Sequence, residues 1–101
     1  MSSTKPTIRP AVVHDLDAVH RLIVALGYPD LSADAFATGF AAVLAHPDST
    51  ILVAENEQGA IIGLASVSQR PQLRLGGLLV SLDEFVVSPE ARDQGVGRAL
   101  I

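Results

Sequence analysis

The amino-acid sequence predicts an α+β domain with a largely antiparallel sheet, and three observations carry that prediction. Two adjacent segments near the N-terminus place apolar residues at helical spacing, Leu16 to Leu26 and Phe36 to Leu44. Three β-rich runs then follow one another closely, the first two joined by a tight turn as antiparallel neighbours can be. The last run passes through a glycine-containing loop into residues that suit a helix, so the element order is β, α, α, β, β, β and the start of α.

Each element has a local cause. Thr7-Ile8-Arg9 reads as a short strand stopped by Pro10, which cannot donate to a ladder and restricts its neighbour. From about His14 to Leu26, the residues Leu16, Val19, Leu22, Ile23 and Leu26 share a face, with Asp15 and Asp17 in the first turn and Gly27 placed to end the helix. Ser32 reads as the N-cap of a second helix that runs along Phe36, Phe40, Val43 and Leu44 to Pro47. Thr50 to Glu55 and Ala60 to Gln69 form a hairpin about Asn56-Glu57-Gln58-Gly59. The polar stretch Arg70 to Gly77 is expected to be a loop. Leu78 to Val87 is expected to be a mostly buried strand ended by Ser88-Pro89, and Gly95-Val96-Gly97 opens the final helix.

Composition narrows the function. A chain of 101 residues with 49% hydrophobic and 18% charged residues is one domain with enough apolar material for a core. A formal net charge of −4 and only four aromatic residues argue against nucleic-acid binding, which needs basic surface and stacking platforms. Cysteine is absent, which removes disulfides, thiolate metal sites and an acyl-cysteine intermediate. No apolar run reaches the roughly 18 residues of a membrane span, so no membrane partner and a cytoplasmic location are expected. His14, His20 and His46 show no spacing of shared ligands, and no metal is expected.

The stretch from Leu82 to Leu100 carries the chemistry. Arg92-x-x-Gly95-x-Gly97 sets two glycines where a loop turns into a helix, so amide N–H groups converge without Cβ obstruction into a concavity that suits phosphate. Arg92 and Arg98 add cationic contacts at its rim. A P-loop would continue with Lys and Ser or Thr after Gly97, and a dinucleotide fingerprint would place a third glycine where Leu100 stands.

With Val86-Val87-Ser88-Pro89 in front of it, this motif resembles the acetyl-coenzyme-A signature of the GCN5-related N-acetyltransferase (GNAT) superfamily, and the upstream element order is similar too. The resemblance implies that the amides of Gln94, Gly95, Val96, Gly97, Arg98 and Ala99 face the pyrophosphate of acetyl-CoA. It implies that main-chain groups of Phe85, Val86 and Val87 pair with the pantetheine arm. It further implies direct attack of a primary amine, from a small molecule or a peptide, on the thioester. Asp93 departs from the family pattern, which more often has a small or basic residue there, so its carboxylate should point to solvent. The chain is expected to be the N-terminal portion of such a domain, through the pyrophosphate loop and the first turns of the next helix.

Glu84 is the first choice for a general base and Asp83 the second, because a carboxylate on this strand lies beside the thioester arm, where partial burial would tune it for proton transfer. Period-two alternation lets only one of the two face the cleft, and a bulge in this strand, common in the family, would change which. The resemblance also places Tyr28 in the wall of the acceptor pocket, against the ordinary reading of a packing residue. Two other readings stand beside the enzyme. One is a non-catalytic acyl-CoA-binding or regulatory module. The other is an inactive truncated fragment that self-associates through the strand ending at Val87, and a homo-oligomer is expected on that account.

Overall fold

The computed structural model describes residues 6–28, 30–73, 76–91 and 96–100. Strand β1 (Thr7–Pro10) leads through a 3-10 turn at Val13–Asp15 into helix α1 (Leu16–Gly27), followed by α2 (Ala33–Ala45). Strands β2 (Ser49–Glu55), β3 (Ile61–Gln72) and β4 (Gly77–Val87) come next, then a 3-10 turn at Pro89–Ala91 and helix α3 (Val96–Leu100). The four strands form one sheet in the order β1-β2-β3-β4, and every pairing is antiparallel.

The two cap signals act as read, whereas Pro10 is included in β1 opposite Leu52 and β4 is mostly exposed where a mostly buried strand is expected. Ser32 Oγ accepts the Ala35 amide at 3.1 Å and starts α2. Gly27 closes α1 with φ of 139°, a conformation that side chains with a Cβ rarely adopt. The sheet then separates two apolar layers. On one face, α1 and α2 cover Ile51, Val53, Leu64 and Val86 with Val19, Leu22 and Phe40. On the other, α3 lays Val96 and Leu100 against Ala54 and Ala65. Fully burying a side chain such as Phe40 or Leu64 contributes about 1.5–3 kcal/mol.

The hairpin of β3 and β4 is longer than the sequence suggests. The expected loop from Arg70 to Gly77 shrinks, because β3 continues to Gln72, pairing with Gly77. Pro71 is tolerated there for a geometric reason. The Gln69 amide reaches the Asp48 carbonyl at 2.9 Å, so the Pro71 nitrogen, two residues on, points the same way. It points past the last residue pair of β2 and β3, Ser49 with Ser68, where no ladder donor is required. Among the described residues, no helix is long and apolar enough to cross a membrane.

Candidate functional site

Strand β4 is irregular where the two acidic residues sit. Ser66 pairs with Glu84 but Val67 pairs with Leu82, so Asp83 is an extra residue on β4. Ser66 Oγ donates to the Glu84 carboxylate and accepts the Glu84 amide at 3.1 Å, which holds Glu84 on the α1/α2 face of the sheet. Ser81 Oγ donates to Asp83 Oδ1 at 3.0 Å, and Ser81 pairs with Ser68, two residues from Ser66 and on the same face. The bulge therefore turns both carboxylates to one side, whereas strict alternation would separate them. Both are exposed, so the partial burial expected of Glu84 is not found. Two residues beyond Glu84, Val86 is buried in the α1/α2 layer, and its neighbours Phe85 and Val87 pack against the other layer.

The main chain of β4 has an open outer edge among the described residues, since β4 ends the strand order. Which groups face that edge follows from the ladder. The Ser88 amide donates to the Ile62 carbonyl at 2.8 Å, toward β3. With an antiparallel period of two, the main-chain groups of Val86 also point to β3, while those of Phe85 and Val87 point outward. Of the three residues singled out for the pantetheine arm, Val86 is thus engaged within the sheet, and Phe85 and Val87 present free-facing donors and acceptors.

Helix α3 is placed by a close approach at Gly63. A Cβ there would lie 2.8 Å from Val96 Cγ1, 3.2 Å from Leu100 Cδ1 and 3.3 Å from the Val86 carbonyl oxygen, so only glycine lets α3 sit so near β3. This fixes the first turn of α3, where Val96, Gly97, Arg98 and Ala99 have amides without intrahelical acceptors. Arg98 and Ala99 have exposed side chains. Arg92, Gln94 and Gly95 lie outside the described residues, as does Asp93.

A cavity of about 410 Å³ opens between α1, α2 and the sheet, within the usual range of about 300–1,000 Å³ for small-molecule sites. Val19, Ile23, Phe36 and Phe40 line it, Tyr28 stands at its rim with 59% of its surface exposed, and Ser66 and Glu84 contribute to its wall. Tyr28 and Glu84, distant in sequence, meet at this one cavity. Ser66 is the residue that sequence reasoning missed. Its signal was a lone hydroxyl within the buried run from Gly63 to Ser66 of β3. His20 supports the wall from behind: its ring stacks on Phe36 with centroids 4.9 Å apart, and its Nε2 lies 3.0 Å from the Leu31 carbonyl oxygen.

The entry to α1 is fixed electrostatically. Asp15 accepts from Arg9 Nη1 at 2.8 Å, Arg9 Nη2 at 2.9 Å and the Val12 amide at 2.8 Å, and Arg9 Nε also reaches Glu55 Oε1 at 3.4 Å. The guanidinium holds the Asp15 carboxyl below the usual carboxylate range, against the opposing pull of burial, with the Val12 amide helping. Asp15, read from sequence as a helix-dipole acid, is instead a nearly buried clamp between β1 and α1. Among the described residues, no group of three or more His, Asp or Glu is gathered as metal ligands would be.

Residues 16–101 match the acetyltransferase (GNAT) family. The aminoalkylphosphonate N-acetyltransferase of Salmonella typhimurium is 32% identical over 94 residues, which cover 93% of this chain and 60% of that protein. This chain therefore spans about 60% of the length of the curated relative it matches. The acetyltransferase of Trypanosoma brucei superposes with a TM-score of 0.76 at 26% identity, covering 94% of this chain and 68% of that one. A transcriptional regulator from Bacillus halodurans superposes with a TM-score of 0.85 at 23% identity, again over 94% of this chain and 68% of the other, a likeness of fold alone.

Proposed function

The chain belongs to the acetyltransferase (GNAT) family, and from that premise we propose that it takes part in transfer of the acetyl group of acetyl-CoA to a primary amine, without a metal. What supports the reading is one juxtaposition: β4 carries an outward main-chain edge, borders the carboxylate-walled cavity on one face and packs against α3 on the other. The main-chain groups of Phe85 and Val87 would take the amide-rich pantetheine arm as a neighbouring strand would. The amides of Gln94, Gly95, Val96, Gly97, Arg98 and Ala99, with Arg92 and Arg98 at the rim, would hold the pyrophosphate. An arm so held would lead its thioester toward the bulge at Asp83.

In the proposed reaction the incoming ammonium loses a proton to the Glu84 carboxylate, directly or through water. The free amine attacks the thioester carbonyl carbon, the new C–N bond forms, the C–S bond breaks, and the departing thiolate takes up the proton that the new amide nitrogen gives up. Ser66 orients Glu84 for this, and Asp83 on the same face is the second carboxylate. The relative's name specifies an aminoalkylphosphonate, itself a primary amine, and the reaction proposed here is amine acetylation in that general sense. A chain without cysteine depends on no oxidising compartment, and we place the activity in the cytoplasm.

Calorimetry with acetyl-CoA, paired with thiol release over a panel of amines, tests the proposal. Saturable binding with amine-dependent release supports it, and absence of coenzyme binding refutes it. Binding without release favours the non-catalytic acyl-CoA-binding module instead. A homo-oligomer is also proposed, because the edge strand β4 carries Leu78, Val80 and Leu82 on one face at 60%, 67% and 52% exposure. A single monomeric species in light scattering would refute it.

A further inference from the structure

We propose that the amine acceptor carries its amino group on an apolar, uncharged body of the arylalkyl or alkyl type, and that amines bearing a second, anionic group are excluded. This rests on the transferase reading only in calling the bound amine an acceptor. The cavity beneath Tyr28 carries the argument. Its wall is built from Val19, Ile23, Phe36, Phe40 and their apolar neighbours, and no Lys, Arg or His stands among its described lining residues. Among those described residues the one charged group is Glu84, at the sheet end.

That distribution selects one polarity of ligand. An ammonium beside Glu84 gains a charge partner while the rest of the molecule replaces water on the apolar wall. A phosphonate or carboxylate in the same space would be desolvated against aromatic and aliphatic side chains and repelled by Glu84, with no cation among the described lining residues to compensate. The two arginines that flank α1 are directed elsewhere. Arg9 is held by Asp15 and Glu55, and Arg21 lines a separate cavity on the other side of α1 with Ser88 and Pro89. The formal net charge of −4 works in the same direction at longer range.

Gly39 supplies an independent probe. It lines the cavity, and a Cβ built on it meets nothing within 4 Å, so a side chain can be started at this wall without a clash at its first atom. Replacing glycine within a helix also favours the helix.

The test is calorimetry of the chain with phenethylamine, its neutral isostere 2-phenylethanol and the anionic amine 2-aminoethylphosphonate. Phenethylamine is expected to bind at least about tenfold more tightly than either of the others. Glu84→Gln should bring the amine and the alcohol to within about twofold of each other, and Gly39→Leu should weaken both by about tenfold with an unchanged or raised melting temperature. Equal or tighter binding of the phosphonate overturns the proposal, as does failure of phenethylamine to saturate, or an amine preference that survives Glu84→Gln. Wild-type affinity in Gly39→Leu overturns the placement in this cavity. A parallel titration with acetyl-CoA separates the two claims: amine selectivity without coenzyme binding defeats the transferase reading and leaves this one standing, and the reverse pattern defeats this one alone.

Discussion

Gly63→Ala tests how α3 is positioned, and the magnitude follows from the approach distances. The added methyl would sit 2.8 Å from Val96 Cγ1, short of an ordinary carbon–carbon contact of about 3.5–4.0 Å by about 0.7 Å or more. Neither neighbour yields easily. Val96 is 2% exposed and β-branched, and on the opposite side the Val86 carbonyl oxygen, 3.3 Å away, belongs to the ladder. Helix α3 must move outward, partly undoing the packing of Val96 and Leu100 on Ala65. Overpacking of this kind costs about 1–3 kcal/mol. At about 2 kcal/mol, the urea midpoint should fall by about 1–2 M and the melting temperature by about 8–16 °C. Gly39→Ala is the matched control, since its Cβ meets open space, and should be neutral or stabilising by up to about 1 kcal/mol. Acetyl-CoA affinity should fall about tenfold in Gly63→Ala and stay unchanged in the control if the amides of α3 face the phosphates as proposed. Equal unfolding midpoints for the two variants would show that the close approach of α3 to β3 is not a constraint. A destabilised Gly63→Ala with wild-type coenzyme affinity would show that α3 does not place those amides.

Other perturbations read out the remaining parts. Asp15 has its carboxyl held low in the folded state, so its contribution is fully present above the unfolded value of about 3.9 and is lost as pH falls through the lower folded value. Asp15→Asn should therefore lose about 1.5–3 kcal/mol at neutral pH and show a flatter decline of stability below about pH 4; urea titrations at several pH values would reveal a parallel decline if the clamp were irrelevant. Val87→Pro removes an outward amide and should keep the fold while weakening acetyl-CoA by about tenfold, whereas Val86→Pro breaks the β3 ladder and should lower the melting temperature sharply. The proposal for pantetheine would not survive the opposite order. Phe40→Ala empties the centre of the α1/α2 layer, where Phe40 is 4% exposed, and should cost about 3–5 kcal/mol by urea unfolding. Ser66→Ala should lower kcat by about tenfold with KM little changed if Ser66 orients Glu84, and a change confined to KM would assign it to binding instead.

The sequence by itself determined the element order, the antiparallel sheet and the family, because each rests on short-range patterns. Ser32 caps α2, Gly27 ends α1, and Arg92-x-x-Gly95-x-Gly97 after Val86-Val87-Ser88-Pro89 carries the resemblance that the family match bears out. Tertiary structure decided what depends on register and on partners distant in the chain. Alternation along β4 put Asp83 and Glu84 on opposite faces, and only the pairing of Ser66 with Glu84 and Val67 with Leu82 exposed the extra residue that turns them to one side. The hydroxyl that holds Glu84 comes from 18 residues away, and the clamp on Asp15 comes from β1. Pro71 signalled a loop because a sequence does not say which edge of a strand lacks a neighbour, and here that edge was the one its nitrogen faces. Gly63 looked like any strand glycine until α3 was seen to lie against it. Local propensity is written residue by residue, whereas faces, edges and close approaches exist only once strands are paired.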